Sequence, residues 1–78
     1  MKRTDIEKYF RIAMQRMGLL IPINTDAVID VDSLERVQLC MDVENYFKIN
    51  IADDELVLLS TIDNWVNLIE KKVNNQDK

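Results

Sequence analysis

The residue of this sequence with the clearest chemical potential is Ser33, which follows Asp32 and precedes a helical pattern of apolar residues. Asp32 and Glu35 have the spacing of a capping box, in which each side chain satisfies a free backbone amide at the start of a helix. Ser33 then lies in the first helical turn, beside free amides and the positive end of the helix dipole. A phosphate carried on its hydroxyl would be stabilised there. The alternative is that Ser33 is a plain capping serine.

The composition argues against an enzyme and against a metal site. The sequence has no His, which removes the commonest general base, the usual serine triads and every His-containing zinc site. Its one Cys, Cys40, permits neither a disulfide nor a Cys cluster, and we expect a buried, inert thiol. Asp30 and Asp32 resemble the opening of a calcium-binding loop, but Glu35 stands where that loop needs Gly.

The length and charge indicate one small acidic domain over residues 1–78. A net charge of −4 argues against a nucleic-acid binder, which needs basic surface. Residues 1–18 carry +3 and residues 19–60 carry −7, so the middle of the chain suits a partner with a basic surface. The longest nearly apolar stretch, residues 17–23, is too short to span a bilayer, and no targeting segment is visible. We therefore expect a cytoplasmic monomer.

The apolar spacing is helical over most of the chain and predicts an all-α fold with little or no sheet. Thr4 and Glu7 predict a capping box for the first helix, and Gly18 is placed to end it in a left-handed C-cap. We expect either Ser60 or Thr61 to cap the start of the last helix. A long loop with Pro22 separates the first two helices, and the third is short. The predicted helices cover residues of about 5–17, 33–47, 53–58 and 62–73.

The second predicted helix carries two apolar stripes on different sides. The core stripe holds Leu39, Val43, Tyr46 and Phe47, with Cys40 on its flank. The other stripe, with residues at i, i+3 and i+7, lies within an arc of about 60°. It is either buried by a second neighbour or exposed as a small patch for a transient partner. Its members are Leu34, Val37 and Met41.

The stretch around Ser33 resembles the acyl carrier proteins. Asp32-Ser33-Leu34 matches the Asp-Ser-Leu motif of that family, and the likeness continues through residues 32–56, DSLERVQLCMDVENYFKINIADDEL. The resemblance implies a four-helix bundle that is not itself an enzyme. It implies a 4′-phosphopantetheine arm on Ser33, with Asp32 beside it, attached by a phosphopantetheinyl transferase (a holo-carrier synthase). Acyl groups would travel on the arm as thioesters between ketosynthases, acyltransferases or similar enzymes of fatty-acid, polyketide or related biosynthesis.

The same resemblance assigns roles to further residues of this chain. An exposed apolar stripe would dock partner enzymes, together with acidic residues that meet basic partner residues. The docking residues are Leu34, Glu35, Val37, Met41, Asp42 and Glu44. An acyl chain can be sheltered between the helices in this family, and the residues that would line such a space here are Leu39, Val43, Leu59, Ile62 and Val66.

Some positions depart from the family pattern. Asp30 stands where a small or amide residue is usual, Ala52 replaces a Pro, and Arg36 makes the second helix less acidic. These departures indicate a specialised carrier rather than the main fatty-acid carrier. Two alternatives remain open at this stage. One is a peptidyl or D-alanyl carrier modified at the same serine, and the other is a small helical adaptor without a prosthetic group.

Overall fold

The structure is a computed structural model, and it describes residues 2–75. Its four helices are α1 (Arg3–Arg16), α2 (Ser33–Phe47), α3 (Asp53–Leu56) and α4 (Ile62–Asn75). The predicted all-α fold, with a long connection before α2 and a short α3, is confirmed. The extended pairing found in residues 2–75 is one isolated antiparallel bridge, between Val28 and Thr61. Across the same residues, no helix has the length and apolar character needed to cross a membrane.

Helix α1 begins earlier than its sequence predicts, because its first residue is tied to α4. Lys2 is the N-cap and provides no side-chain cap, so the predicted Thr4 capping box is wrong. The Arg3 guanidinium pairs with Asp63 at 3.2 Å and with Glu70 at 3.5 Å, and it also donates to Asn67. These long-range contacts hold the first turn in helical geometry and place Thr4 inside the helix.

The core lies between α1, α2 and α4. Phe10 of α1 packs against Trp65 of α4 with ring centroids 5.1 Å apart, and both side chains are buried. Within the described chain the buried residues are all apolar. Removing a buried aromatic side chain such as Trp65 costs about 3–5 kcal/mol. The buried residues are Ile6, Phe10, Ala13, Met14, Ile29, Leu39, Cys40, Val43, Phe47, Ile49, Ile51, Leu59, Ile62, Trp65, Val66 and Ile69.

The first half of the α1–α2 loop is held against α1. Gly18 has φ +74°, the left-handed conformation expected of a glycine after a helix end. The Arg11 guanidinium donates to the carbonyl oxygens of Pro22 at 2.8 Å and Ile23 at 3.2 Å. The side chain of Ile23 remains 92% exposed, so this part of the loop is tied through its backbone.

The second half of the loop is joined to the start of α4, which determines where α2 begins. The Ile29 amide donates to the Ser60 carbonyl at 2.8 Å, and the Asp63 amide donates to the Thr25 carbonyl at 2.9 Å. Ile29 is buried, so the chain enters α2 from an anchored position three residues before Asp32.

Helix α3 is a single turn, two residues shorter than predicted, and it is fastened to α4. The Ala52 amide donates to the Glu55 carboxylate at 2.9 Å, and Lys72 of α4 pairs with the same carboxylate at 3.0 Å. The Ala52 amide and the Lys72 ammonium together lower the pKa of Glu55 below 4.5. Thr61 caps α4, because its Oγ1 accepts from the Asn64 amide at 3.0 Å.

Candidate functional site

Ser33 is exposed at the first residue of α2, and the capping box predicted around it is confirmed. The Glu35 amide donates to the Asp32 carboxylate at 2.7 Å, and the Asp32 amide donates to the Glu35 carboxylate at 3.1 Å. The Ser33 hydroxyl makes no hydrogen bond with the described residues. The serine therefore stands open to solvent at a capped helix start, at the positive end of the helix dipole.

The surroundings of Ser33 do not supply an activating base. Asp32 and Glu35 point at the backbone in the capping box. Lys48 follows the last residue of the 15-residue helix α2, so about 22 Å of helix separates it from Ser33. Across residues 2–75, no group of three or more acidic or Cys side chains is arranged to hold a metal ion. No described group is therefore hydrogen-bonded to the Ser33 hydroxyl to activate it as a nucleophile.

The second stripe of α2 is uncovered. Leu34, Val37 and Met41 are 67%, 45% and 56% exposed. We call these three residues the apolar patch of α2. The patch begins at the residue after Ser33 and extends for two turns along the helix. An apolar strip of this size suits contact with a partner that binds and then leaves.

Tyr46 is not a core residue, which corrects the prediction of a four-residue core stripe. Its side chain is 55% exposed, and its ring stacks on that of Tyr9 with centroids 3.6 Å apart. Phe47 takes the buried position and packs edge-on against both tyrosine rings. A tyrosine at the edge of the core keeps its hydroxyl in water, which explains why Phe47 and not Tyr46 is buried.

The three acidic residues expected to meet a partner all make hydrogen bonds within the chain. Glu35 closes the capping box, Asp42 accepts from the Tyr9 hydroxyl at 2.8 Å, and Glu44 accepts from the Ile51 amide at 2.7 Å. Asp42 and Glu44 are half-buried. Their charges still contribute to the field of the surface, but each carboxylate also joins α2 to a neighbouring segment. The capping box of Glu35 is predicted by the sequence, but the bonds of Asp42 and Glu44 are not, since Tyr9 lies 33 residues before Asp42 and Ile51 lies beyond the end of α2.

The five residues expected to line an acyl space all belong to the core cluster. Leu39 and Val43 on α2 are fully buried, and so are Ile62 and Val66 on α4. Two surface depressions occur elsewhere, one beside Lys48 and Lys72 and one beside Tyr9 and Tyr46, and neither is lined by any of the five. The five residues, which the fold brings to the same core, are Leu39, Val43, Leu59, Ile62 and Val66.

Cys40 is a buried thiol on the side of α2 that faces the entry to α3. Burial, together with the smaller effect of the nearby carboxylates of Glu44 and Asp53, raises the pKa of Cys40 from 9.0 to about 11. At neutral pH the thiolate fraction is therefore very small, and the thiol is inert because the thiolate is the reactive species.

Arg36 is the residue near the site that the motif alone does not explain. It follows Ser33 by three residues, and its side chain is half-buried. Its Nε is fully covered and has no hydrogen-bond partner. Unpaired buried donors are rare, because water has been removed without a replacement acceptor. The guanidinium of Arg36 thus has no acceptor among the described residues, one turn beyond the exposed serine.

Comparison with known proteins identifies the family. An acyl carrier protein of Petrotoga mobilis is 44% identical over 50 residues, which cover 64% of this chain and 59% of that protein. An acyl carrier protein of Chlorobium phaeobacteroides is 31% identical over 75 residues, which cover 85% of this chain and 91% of that protein. No family model matches the chain, and no solved structure gives a significant match. Similarity across nearly the full length of the second relative shows that this chain belongs to the acyl carrier protein family.

Proposed function

We propose that this protein carries acyl intermediates as thioesters on a 4′-phosphopantetheine arm attached to Ser33. The observation that carries the proposal is the exposed Ser33 at the capped start of α2, with the apolar patch of α2 directly behind it. Both features occur in a chain of the acyl carrier protein family. The protein acts as a carrier and its partner enzymes supply the catalysis.

The residues around Ser33 fit the phosphate that would join such an arm to the serine. The hydroxyl has no competing hydrogen bond, and the start of α2 provides free amides and a positive dipole end. Arg36 lies one helical turn beyond Ser33, and its buried Nε has no hydrogen-bond acceptor among the described residues. When bound, the arm supplies a terminal thiol that forms the thioester with the acyl group. The chain's own part is to present Ser33 and hold the base of the arm.

Attachment of the arm is a transfer from coenzyme A. The Ser33 oxygen forms a bond to the phosphorus next to pantetheine, the pyrophosphate bond of coenzyme A breaks, and adenosine 3′,5′-bisphosphate leaves. The serine proton passes to a base of the phosphopantetheinyl transferase, since this chain has no base beside Ser33. An increase in intact mass by one phosphopantetheine, in wild type and not in Ser33→Ala, tests this proposal.

Partner enzymes would dock at the start and middle of α2. The apolar patch gives a small contact area, and the acidic residues from 19 to 60 attract a basic partner surface. Glu35, Asp42 and Glu44 take part through their charge, although each also bonds within the chain. Attraction between exposed charges speeds encounter more than it tightens binding, which suits a carrier that must be released. Ketosynthases and acyltransferases are the expected partner classes, and the monomer is the expected carrier form.

The buried residues between α2 and α4 would shelter the acyl chain. Leu39 and Val43 of α2 belong to the same core cluster as Ile62 and Val66 of α4 and Leu59 of the loop before α4. An acyl chain would enter by parting these side chains, which gains apolar contact for the chain and hides the thioester from water.

Acyl cargo is favoured over the amino-acid cargo of a peptidyl or D-alanyl carrier, because the relatives that match are named acyl carrier proteins. The adaptor alternative leaves the exposed serine, its free hydroxyl and the unpaired Arg36 donor without a role. The pathway proposed is fatty-acid, polyketide or related biosynthesis in the cytoplasm. The buried reduced Cys40 suits that reducing compartment.

A further inference from the structure

The guanidinium of Arg36 differs from those of the other well-packed arginines. Arg3 pairs with two carboxylates of α4, and Arg11 pairs with Glu7 and two loop carbonyls. Arg36 makes no side-chain hydrogen bond or ion pair within residues 2–75, although part of its guanidinium is fully covered. A charged donor held in this way is costly unless an acceptor arrives.

The two carboxylates nearest to Arg36 in sequence are already committed elsewhere. The Asp32 carboxylate accepts from the Glu35 amide, and the Glu35 carboxylate accepts from the Asp32 amide. The backbone amide of Arg36 donates to the Asp32 carbonyl at 3.0 Å, so its backbone is fixed in the same cap. The guanidinium of Arg36 is therefore left without an ion-pair partner among the described residues at the start of α2.

The spacing of Ser33 and Arg36 on α2 places the two side chains within reach of each other. Residues at i and i+3 are neighbours on a helix surface, with about 5–6 Å between their Cβ atoms. Helical side chains lean toward the N-terminus, so Arg36 covers the turn that contains Ser33. The planar guanidinium offers donors in a fork that matches two oxygens of a phosphate. An anion carried on the Ser33 oxygen would lie within reach of that fork.

We propose that Arg36 binds the phosphodiester of the arm on Ser33 and so positions the base of the arm against α2. This inference rests on the proposed function. Arg36 is a positioning residue, and its effect is to restrict the directions in which the arm leaves the helix. Modification supplies the acceptor that the guanidinium lacks in the bare protein, so the charged pair forms only in the modified form.

The test uses two measurements on the modified protein. The first is the ³¹P chemical shift of the phosphodiester, in folded and in urea-unfolded samples of wild type, Arg36→Gln and Arg36→Lys. Arg16→Gln is the matched control, since Arg16 is an exposed arginine on α1. We expect the ³¹P chemical shift to differ between the folded and the unfolded samples of wild type and of the control. In Arg36→Gln this difference is lost. Arg36→Lys retains part of the difference, because the positive charge remains while the forked guanidinium is absent.

The second measurement follows the Arg36 Nε–H signal of wild type by ¹⁵N–¹H NMR before and after modification. The expected result is a displaced signal in the modified protein. An unmoved Nε–H signal and equal ³¹P shifts in wild type and Arg36→Gln would overturn the inference while leaving the modification of Ser33 in place. If none of several transferases modifies Ser33 of the wild-type protein, the proposed function and this inference are both overturned. The Nε–H measurement needs no variant, so a variant that fails to fold does not remove the test.

Discussion

The Tyr9 hydroxyl donates a hydrogen bond of 2.8 Å to Oδ1 of Asp42 and thereby joins α1 to the middle of α2. The ring of the same tyrosine stacks on Tyr46, so α2 is held on this side by a polar and an aromatic contact. On its other side, Glu44 accepts from the Ile51 amide. The acidic residues of α2 thus hold the helix that presents Ser33, in addition to giving its surface a negative charge.

Tyr9→Phe removes this hydrogen bond and should lower the free energy of unfolding by about 1 kcal/mol at neutral pH. Burial, and then the hydrogen bond to Asp42, raise the pKa of Tyr9 above 10.0 in the folded protein. A raised folded-state pKa means that the contribution is complete below pH 10.0 and is lost as the pH rises through the folded value. Urea unfolding of wild type and variant at several pH values should show their difference narrowing above pH 10.0.

Tyr46→Phe is the control for that experiment, because Tyr46 is exposed and its hydroxyl makes no hydrogen bond with the described residues. It should keep the stability of wild type at neutral pH. An equal loss in Tyr9→Phe and Tyr46→Phe would contradict a specific role for the Tyr9–Asp42 bond.

Asp32→Ala removes one half of the capping box at the start of α2. The Glu35 amide loses its 2.7 Å bond, and the free energy of unfolding should fall by about 1 kcal/mol. Thermal unfolding compares this variant with Asp30→Ala, whose side chain is exposed and makes no hydrogen bond with the described residues. If Asp30→Ala destabilises as much, the loss comes from charge and not from the cap.

Leu34→Ala and Met41→Ala each remove an exposed side chain of the apolar patch. Each should weaken association with a phosphopantetheinyl transferase roughly tenfold, equivalent to about 1.4 kcal/mol. The free energy of unfolding should change by less than about 0.5 kcal/mol, since neither side chain is in the core. Calorimetric titration gives the association constant, which should also fall as salt screens the acidic surface.

Ile23→Ala serves as the matched control for the patch, because Ile23 is 92% exposed in the loop between α1 and α2. The transferase should bind this variant as it binds wild type. A comparable weakening by Ile23→Ala, or no weakening by either patch variant, would count against docking on α2.

Loading a medium-length acyl chain on the arm should change the backbone chemical shifts of the five residues proposed to shelter it. Shifts at Phe10, which is buried on the α1 side of the core, should change much less. Two-dimensional NMR spectra of the modified protein with and without the acyl group provide the comparison. Unchanged shifts at all five positions would refute shelter within the bundle. The five are Leu39, Val43, Leu59, Ile62 and Val66.

Local signals in the sequence were sufficient to predict α2 and the capping box at its start. The Asp32–Glu35 spacing predicts the observed capping box, and the bounds of α2 agree with the prediction at both ends. These features depend on residues within one or two helical turns. The exposure of the apolar patch required the structure, since periodicity alone does not say what covers a stripe.

Contacts between residues that are distant in sequence account for the features of the structure that the sequence did not predict. Helix α1 starts at Arg3 because that side chain binds Asp63 of α4, 60 residues away in sequence. Tyr46 stays exposed because Phe47 fills the core position and Tyr9 offers a stacking partner. The bridge between Val28 and Thr61 likewise joins two loops that no local pattern connects. The residue pattern of a single helix does not predict any of these contacts, because each contact joins two separate segments of the chain.

Attachment of the arm to Ser33 is tested by intact mass after incubation with coenzyme A and a broad-specificity phosphopantetheinyl transferase. Wild type and Ser33→Ala are treated side by side, and peptide fragmentation locates the modified residue. We expect a gain of one phosphopantetheine in wild type, located on Ser33, and no gain in Ser33→Ala. No gain in wild type with several transferases, or an equal gain in Ser33→Ala, would contradict it.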